Sequence, residues 1–438
     1  MAISPPTSDA KETDDEPSHA GEAAIAWPLQ YLREHAIHAA VVAFFIAYPG
    51  LYHLAVTSPA ATEAATLLPR VETMIAIFYF GLFAASFDFI SGYTGYLSFG
   101  HATFYGAGAY LVVLAANGKL PVPYDTPFML LVLLAGLLAV VLAVLIGAVS
   151  FRLSGVYFAM ITLGFSQVIY VFARDWSFVS SSPRDGAAVV GPGGGAPIPV
   201  FNIGIPGVDA LNLAIGQLTG DTVEGLFGML SFSAAEVSYY MVGLVVLVAY
   251  LAMQRIIHSP FGRVMIAVRE NEERARAVGY DTFWYKLTAF AVSGFFAGVA
   301  GALFAGFRRS VAPDNSLFFL VSGDALLASI IGGFGTLAGP LYGRLFDETV
   351  REFLSKEGAG GGLLPYLRGT LSESTLAIEL FNGLTVREAI ATFLNGHAGL
   401  YLGLLFVAFV LFVPSGLLGS LRDRVGDTLA AAVAKRLR

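Results

Sequence analysis

The sequence predicts an all-α protein that crosses a membrane about ten times, and three observations lead to that class. Of the 438 residues, 56% are hydrophobic and 13% are charged. The mean hydropathy is +0.70, and a soluble domain of this length could not keep so apolar a surface in water. The apolar stretches run for about 20 residues, the length of a spanning helix, rather than the alternating stretches of about 10 residues expected for an outer-membrane barrel.

The composition also excludes several classes of function. The chain has no cysteine, which rules out disulfides, iron–sulfur clusters and thiolate metal sites. It contains neither a phosphate-binding loop of the Gly-x-x-x-x-Gly-Lys-Ser/Thr type nor a Gly-x-Ser-x-Gly elbow. His35 and His38 lie close together, but no other type of ligand joins them, so no metal site is expected. We therefore expect no enzyme activity in this chain. The net charge of −7 comes largely from the N-terminal tail and does not indicate a nucleic-acid partner.

The N-terminal region divides into a tail and the first two spans. Residues 1–35 are polar and acidic, without a basic segment followed by an apolar core, and therefore predict a disordered tail rather than a signal peptide. A membrane domain is expected over residues 36–420, with its first spans at about 37–56 and 71–90. Residues 421–438 form a basic tail.

Residues 88–110, at the end of the second predicted span, form a glycine-rich stretch. Such a stretch at membrane depth predicts an interrupted helix or very close helix packing. Interrupted helices often mark a transport pathway, whereas tight packing without ligand contact is an equally open interpretation. Asp88 would be costly at this depth unless it is functional or paired, although a carboxylate at a helix end could also be reached by water. The candidate pathway residues here are Asp88, Gly92, Tyr93, Gly95, Ser98, Gly100 and His101, with packing as the expected role of His101.

Two further spans and a long connection follow. One span is predicted at 128–149, and another begins shortly after Arg152, which sits just outside the apolar run. Residues 174–236 form a connection that is poor in lysine and arginine, which favours the external face of the membrane. This external loop is either a docking site for a partner that delivers substrate or a plain insertion.

The loop over residues 254–286 lies between two apolar runs and is rich in arginine, which favours the cytoplasmic side. Ser259-Pro260 is a poor place for a helix to continue. From residue 263 to 278 there is no Gly or Pro, and the apolar residues recur at helical spacing up to a stop at Gly279. The loop therefore predicts a short amphipathic helix. Spacing alone does not distinguish a helix that docks on a protein from one that only caps the membrane domain.

The C-terminal half predicts a second interruption. The apolar segment before residue 340 is broken by Gly332-Gly333-Phe334-Gly335, which we interpret as the turn of a down-and-up pair of crossings. Gly332, Gly333 and Gly335 are therefore further pathway candidates. Together with a last span at 397–413, this pair gives ten crossings with both termini inside, and it places residues 351–396 outside as an insertion without a readable motif.

Several motifs carry a resemblance to a known family. One begins Ser259-Pro260-Phe261-Gly262-Arg263 and continues as Ala-Val-Arg-Glu-Asn-Glu over 267–272. Others are Gly-Tyr-x-Gly-x-Leu-Ser-x-Gly-His-Ala-x-Phe over 92–104, Arg-x-x-Gly-x-Tyr-Phe-Ala-x-x-Thr-Leu over 152–163, Ile-Gly-Gly-x-Gly-Thr-x-x-Gly-Pro over 331–340 and Pro-x-Gly-Leu-x-Gly over 414–419. Taken in their order along the chain, these motifs resemble those of the LivM/LivH-type permeases, the membrane subunits of branched-chain amino acid ABC importers. Two positions depart from the pattern: Tyr96 stands where glutamine is common, and Asp88 stands where asparagine is frequent.

The resemblance implies an ABC importer permease fold of the type II-like kind in a prokaryotic plasma membrane. It implies that the loop helix sits in a groove on an ATPase subunit, with the candidate coupling residues Arg263, Arg269, Glu270, Asn271, Glu272, Arg274, Ala275 and Gly279. Two ABC ATPase subunits that bind ATP and Mg, a second LivH-like permease subunit and an extracytoplasmic substrate-binding protein are the implied partners. The implied solutes are branched-chain amino acids, with urea, short amides or other small solutes as alternatives. A stand-alone secondary transporter or channel is the rival class.

Overall fold

The computed structural model describes residues 36–57, 68–123, 126–190, 198–200, 212–213, 222–224, 231–355, 371–381, 384–394, 398–413 and 416–419. The predicted tails 1–35 and 421–438 lie outside these residues. The chain divides into two compact units, Met1–Leu54 and Ala55–Arg438. Residues 36–54 of helix α1 (Ala36–Thr57) are the described part of the first unit, where the ring of Phe44 packs edge to face with those of Phe45 and Tyr48.

Two long helices form the core of the second unit. They are α2 (Val71–Thr94) and α9 (Thr282–Arg308), which pack against each other and are both largely buried. Helices α3 (Ala102–Ala116) and α4 (Phe128–Ser150) cover α9. Small residues on α9 allow this close packing. A Cβ atom at Gly301 would overlap the carbonyl oxygen of Tyr105, and one at Gly298 would lie 2.6 Å from the Cβ of Ala139. Lipid tails are as apolar as the side chains, so helices in a membrane gain little free energy by burying apolar surface against each other. Close contact through small residues is therefore a main source of helix association.

Helices α4, α5 (Val156–Asp175) and α6 (Ala234–Ile257) form the periphery and leave much of their apolar surface exposed. Such surfaces suit a hydrocarbon environment. Across the described residues, six helices are long and apolar enough to cross a membrane, and three shorter apolar helices accompany them. The predicted class, an all-α polytopic membrane protein, is confirmed, whereas the number of ten crossings stays a prediction.

The loop between α6 and α9 contains two helices, α7 (Pro260–Glu270) and α8 (Glu272–Ala277), rather than the single helix predicted over 263–278. The break falls at Asn271, whose backbone is extended and whose side chain accepts a hydrogen bond from the N–H of Arg274 at 2.8 Å. Asparagine competes with helical backbone bonds in this way, so it ends α7 and caps α8. We call residues 260–284, which contain α7, α8 and the first residues of α9, the elbow. Helix α6 continues to Ile257 and α9 begins at Thr282, so the flanking helices extend into the predicted loop 254–286 from both sides.

The predicted interruption around residues 332–340 is confirmed. Helix α10 (Pro313–Ser316) and helix α11 (Phe319–Gly332) precede it, and α12 (Gly339–Ser355) follows. Helix α12 lies along α2, with Leu341 against Gly81 and the carboxylate of Glu352 3.3 Å from the backbone nitrogen of Arg70. The two helices are therefore antiparallel. Helix α12 continues without a break past residue 351 to Ser355, and the bounds 351–396 of the insertion stay a prediction.

The remaining elements are short. Strand β1 (Ala187–Ala188) pairs with β6 (Ser310–Val311), and three further two-stranded pairs join β2 (Ile198–Pro199) with β3 (Asn212–Leu213), β4 (Thr222–Glu224) with β5 (Ser231–Ser233), and β7 (Glu379–Phe381) with β8 (Leu384–Thr385). Helices α13 (Glu373–Leu376), α14 (Val386–Leu394) and α15 (Ala398–Phe412) complete the described chain. The long connection after α5 is thus partly tied to the end of α9 through β1 and β6.

Candidate functional site

Helix α2 ends at a glycine that forces the chain to turn. Gly95 has a φ of 79°, a conformation that glycine adopts without strain, and its N–H donates to the carbonyl oxygen of Ser91 at 3.1 Å. The chain then runs irregularly to α3, which confirms the predicted interruption. Gly100 lies in this irregular segment, where a Cβ atom would overlap the carbonyl oxygen of Thr162.

Asp88 binds the loop between α11 and α12 to the end of α2. Its carboxylate is fully buried and accepts hydrogen bonds from the N–H of Gly335 at 3.0 and 3.1 Å. Gly92, one turn further along, leaves room for this contact, because a Cβ atom there would lie 2.7 Å from the carboxylate and 2.8 Å from the Cα of Gly335. A second bond runs from the N–H of Leu337 to the hydroxyl oxygen of Tyr93 at 3.1 Å. The loop between α11 and α12 therefore has backbone donors satisfied by α2, as a buried irregular segment requires.

The other predicted pathway residues occupy different positions. Ser98 and His101 are completely buried, and the His101 Nε2 lies 3.1 Å from the hydroxyl of Ser86 and 3.3 Å from that of Ser293. The imidazole therefore packs between α2 and α9 and does not join the Asp88 cluster. Gly332 and Gly333 form the end of α11, where a Cβ atom on Gly332 would overlap the carbonyl oxygen of Gly339. Their role in a pathway stays a prediction.

The elbow is attached directly to this interrupted region. Arg269 of α7 donates through Nη1 to the carbonyl oxygen of Gly92, and the same nitrogen would lie 3.1 Å from a Cβ atom on Gly335. One side chain therefore meets the end of α2 and the loop between α11 and α12 together. The structure brings a candidate coupling residue and the candidate pathway residues into one contact.

Glu272 of α8 makes the second attachment. Its carboxylate lies 2.7 Å from Nζ of Lys286 and accepts hydrogen bonds from the hydroxyls of Thr282 and Tyr96. Lys286 is buried, and its ammonium group lies 4.7 Å from the centre of the Tyr96 ring. Arg276 adds an exposed ion pair with Glu272 at 3.0 Å. These contacts join the elbow to α9 and to the segment that follows α2.

The electrostatics of this group follow from its partners. Burial alone would raise the pKa of Glu272, but the hydrogen bonds from Lys286 and Tyr96 outweigh it and hold the pKa below its usual range. Burial raises the pKa of the Tyr96 hydroxyl, and the neighbouring carboxylate of Glu272 raises it further. Tyr96 therefore remains a neutral hydrogen-bond donor to an ionised Glu272.

The other candidate coupling residues mostly point away from the membrane domain. The exposed ones are Arg263, Glu270, Asn271, Arg274 and Gly279, whereas Ala275 is buried beneath them. The same segment exposes four large apolar or aromatic side chains that the sequence reasoning did not single out, namely Ile266, Val278, Tyr280 and Trp284. We call these exposed residues, charged and apolar, the outer face of the elbow. Contiguous exposed apolar surface can mark a contact with a protein or with lipid, and docking of an ATPase on this face stays a prediction.

Sequence reasoning also missed the inward partners of the elbow. Tyr96 stood out only as a departure from a motif, and Lys286 only as one positive charge of the loop. A lysine at the start of an apolar run was a usable signal, because a cation there requires a partner or access to water. Within the described residues there is no cluster of three or more His, Asp or Glu residues that could hold a metal ion.

Interrupted helices joined to a soluble elbow define the class of protein, a polytopic transport permease. The chain belongs to the family described as "Branched-chain amino acid transport system / permease component", whose model matches residues 70–356. It is 30% identical over 305 residues to the high-affinity branched-chain amino acid transport system permease protein LivM of Escherichia coli, covering 69% of this chain and 66% of that protein.

Two further relatives widen the comparison. LivM of Salmonella typhimurium is 30% identical over 270 residues, which is 61% of this chain and 58% of that protein. The autoinducer 2 import system permease protein LsrC of Photorhabdus laumondii is 31% identical over 134 residues, which is 29% of this chain and 40% of that protein. The chain thus matches under two thirds of the length of these relatives. No solved structure matches the chain significantly.

Proposed function

We propose that the chain is the membrane-spanning permease subunit of an ATP-binding cassette importer that moves branched-chain amino acids across a prokaryotic plasma membrane. Family membership and the LivM relatives support this function. In this proposal two ABC ATPase subunits bind ATP and Mg, a second LivH-like permease subunit completes the pathway, and an extracytoplasmic binding protein delivers the solute. The arginine-rich elbow lies in the cytoplasm, as the distribution of positive charge favours, and so do both termini.

The observation that carries the proposal is the two-sided construction of the elbow. Its outer face presents Val278 and Trp284 among charged side chains. Its inner side is held by Arg269 at Gly92 and by Glu272 at Lys286. A displacement of the elbow by a bound protein would therefore act on the end of α2 and on the loop between α11 and α12 together. In a stand-alone channel or secondary transporter, such an elbow would have no partner to receive.

The mechanism that follows is alternating access. Closure of the ATPase subunits upon ATP binding pushes the elbow, and Arg269 and Glu272 transmit the displacement to the interrupted helices. ATP shifts the equilibrium only because it binds one conformation of the assembly more tightly than the other. The chain itself contributes no step in ATP hydrolysis.

Purification of the tagged chain from native membranes, with identification of the co-purifying proteins, tests the assembly. We expect two ATPase subunits, a second permease and a binding protein, and we expect uptake of L-leucine, L-isoleucine or L-valine by the reconstituted complex only when ATP is supplied. A chain that purifies alone and still supports uptake without any ATPase would contradict the proposal and favour a stand-alone transporter.

The match to LsrC supports a second candidate within the same family, because that permease is named for a different solute. The uptake panel should therefore contain branched-chain amino acids, autoinducer 2, urea and a short amide. If autoinducer 2, urea or the short amide competes for uptake and no branched-chain amino acid does, the transported solute in the proposal changes but the permease function stays.

A further inference from the structure

A row of charged side chains runs along α12 and is not used by the elbow. Its α12 members follow one another at i, i+3, i+4 and i+7, which places them on one face of the helix. Asp324 lies on α11, which packs directly against α12, and its charge interacts with all four. We call these five residues the charged row: Asp324, Arg344, Asp347, Glu348 and Arg351.

The depth of the charged row follows from its contacts with α2. The guanidinium of Arg344 lies 4.2 Å from the centre of the Phe80 ring. Helix α2 has 24 residues and is therefore about 36 Å long, so Phe80 lies only about 4 Å from its middle. Because α12 is antiparallel to α2 and Glu352 reaches Arg70, the row extends from the middle of α2 towards its N-terminal end. That end is opposite the elbow, so the row occupies the outer half of the membrane when the elbow is cytoplasmic.

Charges at this depth cannot face lipid without a large cost, and they are found facing protein or water. The charged row is nevertheless not enclosed by this chain. Asp324 is exposed, Arg351 has 44% of its side chain exposed, and every residue from Arg344 to Val350 is partly accessible. Accessible side chains of both charges at this depth cost less free energy beside water than beside hydrocarbon, so the charged row is expected to face water.

The ion pairs within the row leave part of its charge uncompensated. Arg344 pairs with Asp347 at 2.7 Å and also with Glu348, while its Nε has no hydrogen-bond partner. Arg351 reaches Asp347 only at 3.7 Å. Among the described residues Asp324 forms no salt bridge. Beside a central group that is already paired, Arg351 therefore has only a long ion pair, and Asp324 is the one charge of the row without a salt bridge among the described residues.

We propose that the charged row is a solute-binding station in the outer half of the translocation pathway. Arg351 would hold the α-carboxylate of an amino acid, and Asp324 would hold its α-ammonium group. The apolar side chain of the bound amino acid would then contact the exposed Leu320 and Leu327. These two residues lie one turn before and one turn after Asp324 on α11. The inference rests on the proposed function for its ligand, whereas the water-facing position of the row can be tested independently.

Cysteine accessibility tests the position of the row. The chain contains no natural cysteine, so single variants need no altered background. Leu320→Cys and Leu327→Cys probe the face beside Asp324, and Val141→Cys, on an exposed surface near the middle of the very apolar helix α4, is the matched control. In right-side-out vesicles of the complete complex, treated with a membrane-impermeant methanethiosulfonate, mass shifts of the purified chain report the reaction.

We expect Leu320→Cys and Leu327→Cys to react at least about tenfold faster than Val141→Cys, because a thiol reacts as the thiolate, which requires water. We also expect excess L-leucine to slow the reaction of Leu327→Cys. If both variants are as unreactive as the control while the wild-type complex takes up L-leucine, the inference is overturned and the proposed function stands. If the variants react, but the complex takes up no amino acid and no amino acid slows the reaction, both the proposed function and the amino acid ligand are contradicted.

Uptake kinetics test the role of Asp324. Asp324→Asn should raise KM for L-leucine about tenfold, a loss of about 1.4 kcal/mol, with the maximal rate changed less than about twofold. Asp324→Glu should recover most of this loss, and the amount of assembled complex should not change. Loss of the second permease from the purified Asp324→Asn complex, instead of a change in KM, would mean that the row forms ion pairs between subunits and would overturn the inference.

Discussion

Single side chains determine how the elbow is attached. Glu272 was predicted to contact an ATPase, yet its carboxylate is directed towards Lys286 and Tyr96 of the same chain. An ATPase contact by Glu272 stays a prediction, but these intramolecular bonds already occupy the carboxylate. The buried Lys286 depends on the same ion pair, because an ammonium group without an anion is costly in an apolar environment. The pair is therefore a positioning contact that holds the elbow against α9.

Removing the buried partner of Glu272 should loosen the elbow. We expect Lys286→Met to lower the stability of the detergent-solubilised chain by about 2 kcal/mol, because the carboxylate of Glu272 loses its buried partner although it keeps the exposed Arg276. ATP-driven uptake should fall more than the amount of bound ATPase. Arg276→Gln is the matched control, since it removes an exposed partner of the same carboxylate and should cost at most about 1 kcal/mol. Equal effects of the two variants in thermal unfolding would contradict the assignment.

The depressed pKa of Glu272 makes a prediction about pH. A carboxyl group whose pKa is lower in the folded than in the unfolded state stabilises the fold above its unfolded pKa, and this stabilisation is lost as pH falls through the folded pKa. Thermal unfolding between about pH 3 and pH 6 should therefore show a smaller pH dependence for Glu272→Gln than for the wild type. An unchanged slope in the variant would show that Glu272 does not contribute to acid destabilisation.

Whole helices are set at fixed distances by glycines. At Gly301, helix α9 lies against the backbone of α3. A side chain could change its rotamer to make room for a methyl group, but the backbone of α3 would have to move. Gly164 on α5 has open space around its Cβ position. The same residue type therefore has different consequences on a buried and on a peripheral helix.

Alanine at these two glycines should separate packing from helix propensity. We expect Gly301→Ala to destabilise the protein by about 1–3 kcal/mol through overpacking. Gly164→Ala should instead stabilise the protein by about 0.5–1 kcal/mol, because nothing surrounds the added methyl group and alanine favours the helix more than glycine does. Thermal unfolding and the yield of monodisperse protein in detergent measure both. A neutral Gly301→Ala would show that α3 and α9 can move apart without cost.

At the scale of the whole molecule, the outer face of the elbow and the external connection lie on opposite sides of the membrane domain in the proposed orientation. This separation allows a matched pair of substitutions. Val278 on the elbow and Val190 after α5 are both strongly exposed. Neither substitution removes buried apolar surface from the chain itself.

An acidic residue on the outer face of the elbow should weaken assembly with the ATPase. We expect Val278→Asp to reduce the co-purified ATPase at least about tenfold, equivalent to about 1.4 kcal/mol, because a charge would be desolvated at the contact. Val190→Asp should leave the amount of ATPase unchanged. Quantitative mass spectrometry of the purified complexes checks both. Undiminished ATPase with Val278→Asp would place the docking surface elsewhere.

Much of the architecture was predictable because it depends on local patterns. Apolar runs of helical length located α4, α6, α9 and α15, since the bilayer sets the length of a spanning helix. Glycine clusters located both interruptions, because positive φ angles and close backbone approach favour glycine. Even there, the split of the elbow at Asn271 was missed, since the competing side-chain hydrogen bond interrupts an otherwise helical pattern.

The sequence by itself therefore determined the class of the protein, the helices and their interruptions, and the family to which the chain belongs. Only the tertiary structure decided which distant residues meet. It joined Arg269 to Gly92 and Glu272 to Lys286, and it set the charged row of α12 beside the middle of α2. The physical reason is range: hydropathy and backbone propensity act over neighbouring residues, whereas an ion pair depends on how separate helices pack in three dimensions.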